Sequence, residues 1–275
     1  MIIDSSLENS AKLIWRGGNP TLSSRLIAKE KAVALTFCGS TSAVMMATPA
    51  DLEDFGIGFA LTEGIVERAG EITSIELVET DAGIEIRMWL AGDRADRLVA
   101  RRRALVGPVG CGLCGIESLE QACPSPVRVS SNVKFRARDL LGAMSGLAPL
   151  QQLNQQTRAV HAAAFWLPSS GIGSIREDVG RHNALDKLAG ALIRDNVARA
   201  AGAVLLTSRV SVEMVQKTAR IGAPVLLAVS APTSLAIRTA DQAGITLIAV
   251  ARADGYEIFT HPDRLIFSDD RLVAA

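Results

Sequence analysis

The second half of the chain alternates two kinds of segment, and this limits its fold more than any other feature. Residues 160–167, 173–177, 203–207, 225–230 and 245–251 read as buried strands. Residues 182–194, 211–220 and 234–243 repeat their apolar side chains with a helical period. Strands that alternate with helices of this length predict an α/β sheet with right-handed crossovers and mostly parallel strands. A helical stretch over 138–152 and a glutamine-rich connector precede this region.

The first part of the chain has a different texture. Residues 31–37, 75–79 and 83–89 alternate as strands do, with Asp81-Ala82-Gly83 as a hairpin turn. Thr48-Pro49 predicts a helix start, followed by Asp51, Glu53 and Asp54 at the positive end of the helix dipole. Leu52, Phe55 and Phe59 share an apolar face there, and Gly64 marks the stop. The expected organisation is a small α+β domain over 1–127 and an α/β domain over 128–275, α+β overall.

With 275 residues and 48% hydrophobic content, the chain is long enough for a substantial core. The 29 basic residues balance the 29 acidic ones, which argues against a global pull toward nucleic acid or anionic membrane. No apolar run approaches the roughly 18 residues of a membrane span. Residues 1–10 carry Asp4 and Glu8 and no basic residue, unlike a secretory signal. The expectation is a cytoplasmic protein without nucleic-acid or membrane partners.

Four cysteines are too few for a disulfide scaffold. Two lie in Gly110-Cys111-Gly112-Leu113-Cys114-Gly115, with Arg101-Arg102-Arg103 upstream. Nearby arginines would lower a thiol pKa and favour the thiolate, or steer an anionic substrate. Four readings stay open. A zinc site lacks a second ligand pair with suitable spacing. A thioredoxin-like dithiol fits poorly with glycine flanks. The thiols could be inert, or a cysteine could carry a covalent group such as a persulfide. Cys38 reads as a core residue, and Cys123 stays ambiguous.

Three strand-to-helix junctions are rich in small polar and basic residues: 177–183, 207–211 and 230–234. Such junctions lie at the carboxyl ends of strands, where α/β sheets bind ligands. Their helix N-termini suit phosphate, with Arg181 and Arg209 adding charge, and Ala251-Arg252-Ala253-Asp254-Gly255 is a further polar loop on that side. There is no dinucleotide fingerprint, P-loop, G-x-S-x-G elbow or deaminase zinc motif.

Several segments together resemble the FdhD family of formate dehydrogenase accessory sulfurtransferases. They are residues 178–187 (DVGRHNALDK), 111–115 (CGLCG), 230–236 (SAPTSLA), 212–217 (VEMVQK) and 53–64 (EDFGIGFALTEG). The resemblance implies a small α+β N-terminal domain and a C-terminal α/β/α domain similar to cytidine deaminases but lacking zinc. It implies a homodimer, a cysteine desulfurase as sulfur donor, and the catalytic subunit of formate dehydrogenase as client. Sulfur would be held as a persulfide on Cys111, with Cys114 as helper. It would pass to the molybdenum bis(guanine dinucleotide) cofactor, with GDP as an analogue and no tightly bound metal of the protein's own. The nucleotide would lie against Val250, Ala251, Arg252, Ala253, Asp254 and Gly255, with Arg209, Ser230 and Thr233 nearby. Where the family usually has glycine this chain has Ser208, and Val250 replaces a frequent aromatic residue. Thr157-Arg158-Ala159 stands where T-G-G is common.

Overall fold

The computed structural model describes residues 6–92, 94 and 125–267. The chain begins with a long antiparallel hairpin, β1 (Leu7–Arg16) and β2 (Asn19–Ala28), which the sequence reading does not anticipate. A four-stranded sheet follows, built from β3 (Lys31–Phe37), β4 (Ser40–Ala47), β5 (Ile72–Thr80) and β6 (Gly83–Leu90). Its order is β4-β3-β6-β5, and the central pair is parallel. The expected turn at 81–83 joins β5 to β6.

Between β4 and β5 runs α1 (Leu52–Thr62). Phe55 and Phe59 pack on Leu35, Phe37, Ile86 and Met88 of the sheet. The helix is not capped by Thr48-Pro49 as expected. Its N-cap is Asp51, in a left-handed conformation (φ +51°) and without a side-chain capping bond. Thr48 is buried and spends its polar groups on a neighbouring loop instead. The stop at Gly64 holds. With φ +68°, Gly64 donates to Leu61 O, and Ile65 N–H donates to Ala60 O, which closes a Schellman end.

After β7 (Phe135–Arg136) comes α2 (Ala137–Ser145), followed by a 3₁₀ turn at Ala148–Leu150. The expected helix over 138–152 is therefore broken, at a turn that contains Pro149. The glutamine-rich connector is itself helical, α3 (Gln152–Thr157). The Glu177 carboxylate accepts the N–H groups of Leu153 and Asn154, each at 2.8 Å, and so satisfies the start of this short helix. Arg158, at a position where glycine is common, closes it at φ +57°.

The remaining elements are β8 (His161–Leu167), β9 (Gly171–Asp178), α4 (Arg181–Arg194), β10 (Ala203–Leu206), α5 (Val212–Ile221), β11 (Val225–Ala228), α6 (Ser234–Ala243), β12 (Thr246–Arg252), β13 (Gly255–Ile258) and β14 (Leu265–Ile266). The larger sheet has the order β13-β12-β11-β10-β8-β9. Only β10–β11 and β11–β12 pair in parallel; the other three pairs are antiparallel. The sheet is mixed, which corrects the expectation of a mostly parallel one. The physical reason is connection length. Short turns join β8 to β9 and β12 to β13, and a parallel pair needs a crossover of a dozen or more residues.

One face of the larger sheet buries Val204, Leu226 and Leu247 under α4, α5 and α6. The other face buries Leu205, Leu227 and Ile248 under α2. The fold is a mixed α+β arrangement. Its two larger sheets are joined where α1 crosses α4. At that crossing the backbones touch. A Cβ on Gly58 would lie 1.7 Å from Asp186 O, and one on Gly190 would lie 1.9 Å from Asp54 O. Neither obstacle is a movable side chain, so any larger residue must push the helices apart.

We expect Gly58→Ala and Gly190→Ala each to cost about 2–3 kcal/mol, read as a lower urea midpoint at unchanged slope. Gly142→Ala, in an exposed helical position with open space around it, should instead stabilise by about 0.5–1 kcal/mol.

Candidate functional site

The three junctions that the sequence marks as candidate ligand sites differ in how their side chains are engaged. In the first, Asp178 at the end of β9 is fully buried. Its carboxylate accepts from Lys187 Nζ at 2.6 Å, Gly180 N–H at 2.7 Å, Asn183 Nδ2 at 2.9 Å and Thr48 N–H at 3.0 Å. Lys187 Nζ also donates to Thr48 O, and Asn183 Nδ2 to Met46 O, each at 2.8 Å. Asp178, Asn183 and Lys187 therefore clamp the corner between β4 and α1 onto α4. Their chemistry is spent inside the fold.

Two further polar units lie along the same seam. Lys217 Nζ of α5 donates to Asp186 Oδ1 and Oδ2 at 2.8 and 2.9 Å, to Glu63 Oε1 at 3.0 Å and to Thr62 Oγ1 at 3.0 Å. Burial disfavours the Lys217 charge, but Asp186 and Glu63 outweigh it, and its pKa is raised. Arg176 Nη2 holds Asp54 Oδ2 at 2.6 Å, and Arg194 Nη1 lies 2.7 Å from Asp54 Oδ1. Sequence reasoning missed these partners, because they are 100 or more residues apart for Asp54–Arg176 and Thr62–Asp186.

Arg181 and His182, at the start of α4, take no part in that clamp. His182 Nε2 lies 3.6 Å from Glu213 Oε2 in the first turn of α5. The N-termini of α4 and α5 therefore adjoin. Burial lowers the His182 pKa, with Glu213 opposing. Burial, followed by the charge of Arg181, lowers that of His161.

The second and third junctions are tied together at the ends of β10 and β11. Val210 N–H donates to Ala231 O, Thr233 N–H donates to Val210 O, and Val210 bridges Pro232. Thr233 Oγ1 accepts from Ala236 N–H at 3.2 Å and caps α6, so its side chain is committed to the helix. Ser230 is half-buried and Arg209 is exposed. Ser208 is buried, donates its hydroxyl to Arg209 O at 3.1 Å, and has no positive φ, so the turn accepts its Cβ without backbone strain.

The segment expected to be a loop at 250–255 is mostly strand. Val250, Ala251 and Arg252 belong to β12, and only Ala253-Asp254 form the turn into β13. A bulge between Ala249 and Arg252 shifts the register, and Val250 adopts φ +54° within it. That is a strained conformation for a β-branched residue. Arg252 Nη1 donates to Val229 O at 2.6 Å and to Ala251 O at 2.8 Å, which lays the guanidinium across the end of β11.

The structure thus gathers Arg209, Ser230, Thr233 and 250–255 at one end of the parallel strands, beside helix starts that favour anions. Cys111, Cys114, Cys123 and Arg101–Arg103 lie outside the described residues. No helix among the described residues is long and apolar enough to cross a membrane.

The mixed α+β fold carries helix starts at one end of its parallel strands, and comparison places it in a family. The model of the FdhD/NarQ family matches residues 28–266. The sulfur carrier protein FdhD of Agrobacterium fabrum is 52% identical over 267 residues, covering 96% of this chain and 98% of its own. That of Cupriavidus necator is 52% identical over 252 residues, covering 91% and 87%. A solved structure from Desulfotalea psychrophila, assigned as a formate dehydrogenase accessory protein, superposes with a TM-score of 0.70 at 25% identity, covering 94% of this chain and 99% of its own. The chain belongs to the FdhD/NarQ family.

Lys187→Met leaves the buried Asp178 carboxylate without its cation and should cost about 3–5 kcal/mol in urea unfolding. The two histidines set a pH dependence. Unfolded imidazoles titrate near 6.5 and the folded ones lower, so the unfolded chain binds more protons as pH falls. Stability they contribute above about pH 6.5 is lost as pH falls through the folded values. His161→Gln or His182→Gln should flatten the fall in melting temperature between about pH 7 and pH 5.

Proposed function

We propose that this chain is a cytoplasmic sulfur carrier that serves the maturation of formate dehydrogenase. The observation that carries the reading is 52% identity, over nearly the whole chain, to a protein named sulfur carrier protein FdhD. The thiol pair Cys111 and Cys114 between glycines supports it. The name of the Desulfotalea structure supports the client.

In this reading, the Cys111 thiolate attacks the outer sulfur of a persulfide on a cysteine desulfurase. The donor's S–S bond breaks, its cysteine leaves as thiolate, and Cys111 becomes the persulfide. Glycine flanks suit this step, because the same sulfur must reach a partner's reaction centre and then a bound substrate. Cys114 attacks the inner sulfur of the Cys111 persulfide. The terminal sulfur departs as hydrosulfide toward the molybdenum bis(guanine dinucleotide) substrate, leaving a Cys111–Cys114 disulfide. An external thiol reduces that disulfide and resets the carrier.

Residues 1–127 present the thiols, and 128–275 form the deaminase-like α/β/α unit, without zinc, that holds the guanine dinucleotide. The nucleotide phosphates rest on the N–H groups at the starts of α5 and α6, with Arg209 and Arg252 countering their charge. Val250, Ala251, Ala253, Asp254 and Gly255 line the nucleotide beside Ser230. Thr233 acts by holding the start of α6 in place.

Incubation with a desulfurase and cysteine should add 32 Da, about one sulfur atom, to the wild-type chain and nothing to Cys111→Ala, as read by intact-mass spectrometry. A normal sulfur adduct on Cys111→Ala would overturn the assignment. Full client activation by a variant lacking both thiols would instead leave cofactor holding as the function.

A further inference from the structure

The two-stranded sheet of β7 and β14 carries a cation beside an apolar side chain on its outer face. The strands are parallel, with Phe135 opposite Leu265 and Arg136 opposite Ile266. Phe135 and Leu265 turn inward and pack with Leu140 and Met144 of α2. Side chains alternate along a strand, so Arg136 and Ile266 stand together on the other face. Arg136 is exposed, and its guanidinium has no hydrogen bond or ion pair among the described residues. Ile266 is 48% exposed, and Phe267, which follows it, is 42% exposed. Neither outer edge of this ribbon pairs with a further strand among the described residues.

A cavity of about 340 Å³ opens at the head of the ribbon, lined by Ser131, Asn132, Val133, Lys134, Asp263 and Arg264. Arg264 Nη1 donates to Thr246 Oγ1 at 2.7 Å and to Pro224 O at 3.2 Å, which fixes the cavity at the starts of β11 and β12. Ser230 and Arg252 lie at the opposite ends of those strands. Lys134 Nζ donates to Asp263 O and lies 3.8 Å from Asp263 Oδ2. Asp263 is the one carboxylate of this lining, against the cations Lys134 and Arg264. The segment 125–138 also carries Arg128, Arg136 and Arg138, all exposed, and holds no acidic residue. Asp139 lies 3.8 Å from Arg138 and offsets that charge. The whole chain has a net charge of +0, so the cationic excess is local.

We propose that this cavity and the outer face of β7–β14 dock the sulfur donor through an acidic, extended segment of its surface. One carboxylate of that segment enters the cavity between Lys134 and Arg264, and a second pairs with Arg136. An apolar side chain between them covers Ile266 and Phe267. Charge selects this occupant, because cations that the fold leaves unneutralised attract an anionic partner and steer its approach. The apolar pair selects a protein over a small anion, since a lone phosphate would leave Ile266 and Phe267 in water. The unpaired ribbon edges suit an extended chain, which adds as one more strand. Position selects the donor among proteins. The nucleotide is assigned to the other ends of β11 and β12, so a partner docked here delivers sulfur while that region is filled. The docking site rests on the sulfur-carrier reading and adds to it the place where the donor binds.

The test is the affinity of the full chain for a cysteine desulfurase, by isothermal titration calorimetry. Arg136→Glu and Lys134→Glu should each weaken binding about ten-fold. Arg238→Glu, exposed on α6 across the larger sheet, should leave it unchanged. Raising salt from about 50 to about 300 mM should weaken wild type and narrow its lead over Arg136→Glu. Inorganic polysulfide, which needs no docking, should load Arg136→Glu with sulfur as fast as wild type. The urea midpoint of Arg136→Glu should match wild type, because its guanidinium has no partner to lose. Unchanged affinity in Arg136→Glu and Lys134→Glu, or an equal loss in Arg238→Glu, overturns the docking site. Cys111→Ala should bind the desulfurase like wild type, so a wrong thiol assignment and a wrong docking surface give separate results. A wild type that does not bind the desulfurase overturns the donor and its site together.

Discussion

The contact of α1 with α4 at Gly58 and Gly190 governs the rest of the molecule. Two helices whose backbones meet leave no room for ordinary side-chain packing at that point. The polar groups around it must then find partners across the seam, because water cannot reach them. They do so in three units: Asp54 with Arg176 and Arg194, the Asp178–Lys187 pair with Thr48, and the Asp186–Lys217 pair with Thr62 and Glu63. Each unit ties the region of the four-stranded sheet to the larger sheet.

This seam also places the candidate site. α4 starts where the clamp on Asp178 ends, so its first turn presents Arg181 and His182 beside α5. The ends of β10 and β11 are stitched together through Val210, and Arg252 is laid over β11. The resulting surface is cationic in part and lined by helix starts. The strain at Val250 sits in the bulge that bends β12 at this surface, consistent with bulges being placed next to functional sites.

The local elements of the second half were legible in sequence. The helix over 234–243 matches α6 to the residue, and 31–37 matches β3. The direction of the strands was not legible, because apolar run length says nothing about which neighbour a strand pairs with. The hairpin β1–β2 was also missed; Leu13, Trp15 and Leu22 lie on a face that no other described residue buries. The motif 178–187 was legible as a family signature. What its Asp178, Asn183 and Lys187 do, as buried clamps, was not legible, because Thr48 and Met46, which they hold, lie more than 100 residues away.

The sequence by itself determined the family, the thiol pair and the positions of most strands and helices. These follow from residue identity and short-range periodicity, which the covalent chain carries directly. Tertiary structure alone decided the mixed sheet, the helix crossing, the three buried ion pairs and the outward apolar face of β1–β2. Each of those depends on which distant residues meet, and such meetings are settled by the packing and desolvation of whole elements rather than by neighbours along the chain.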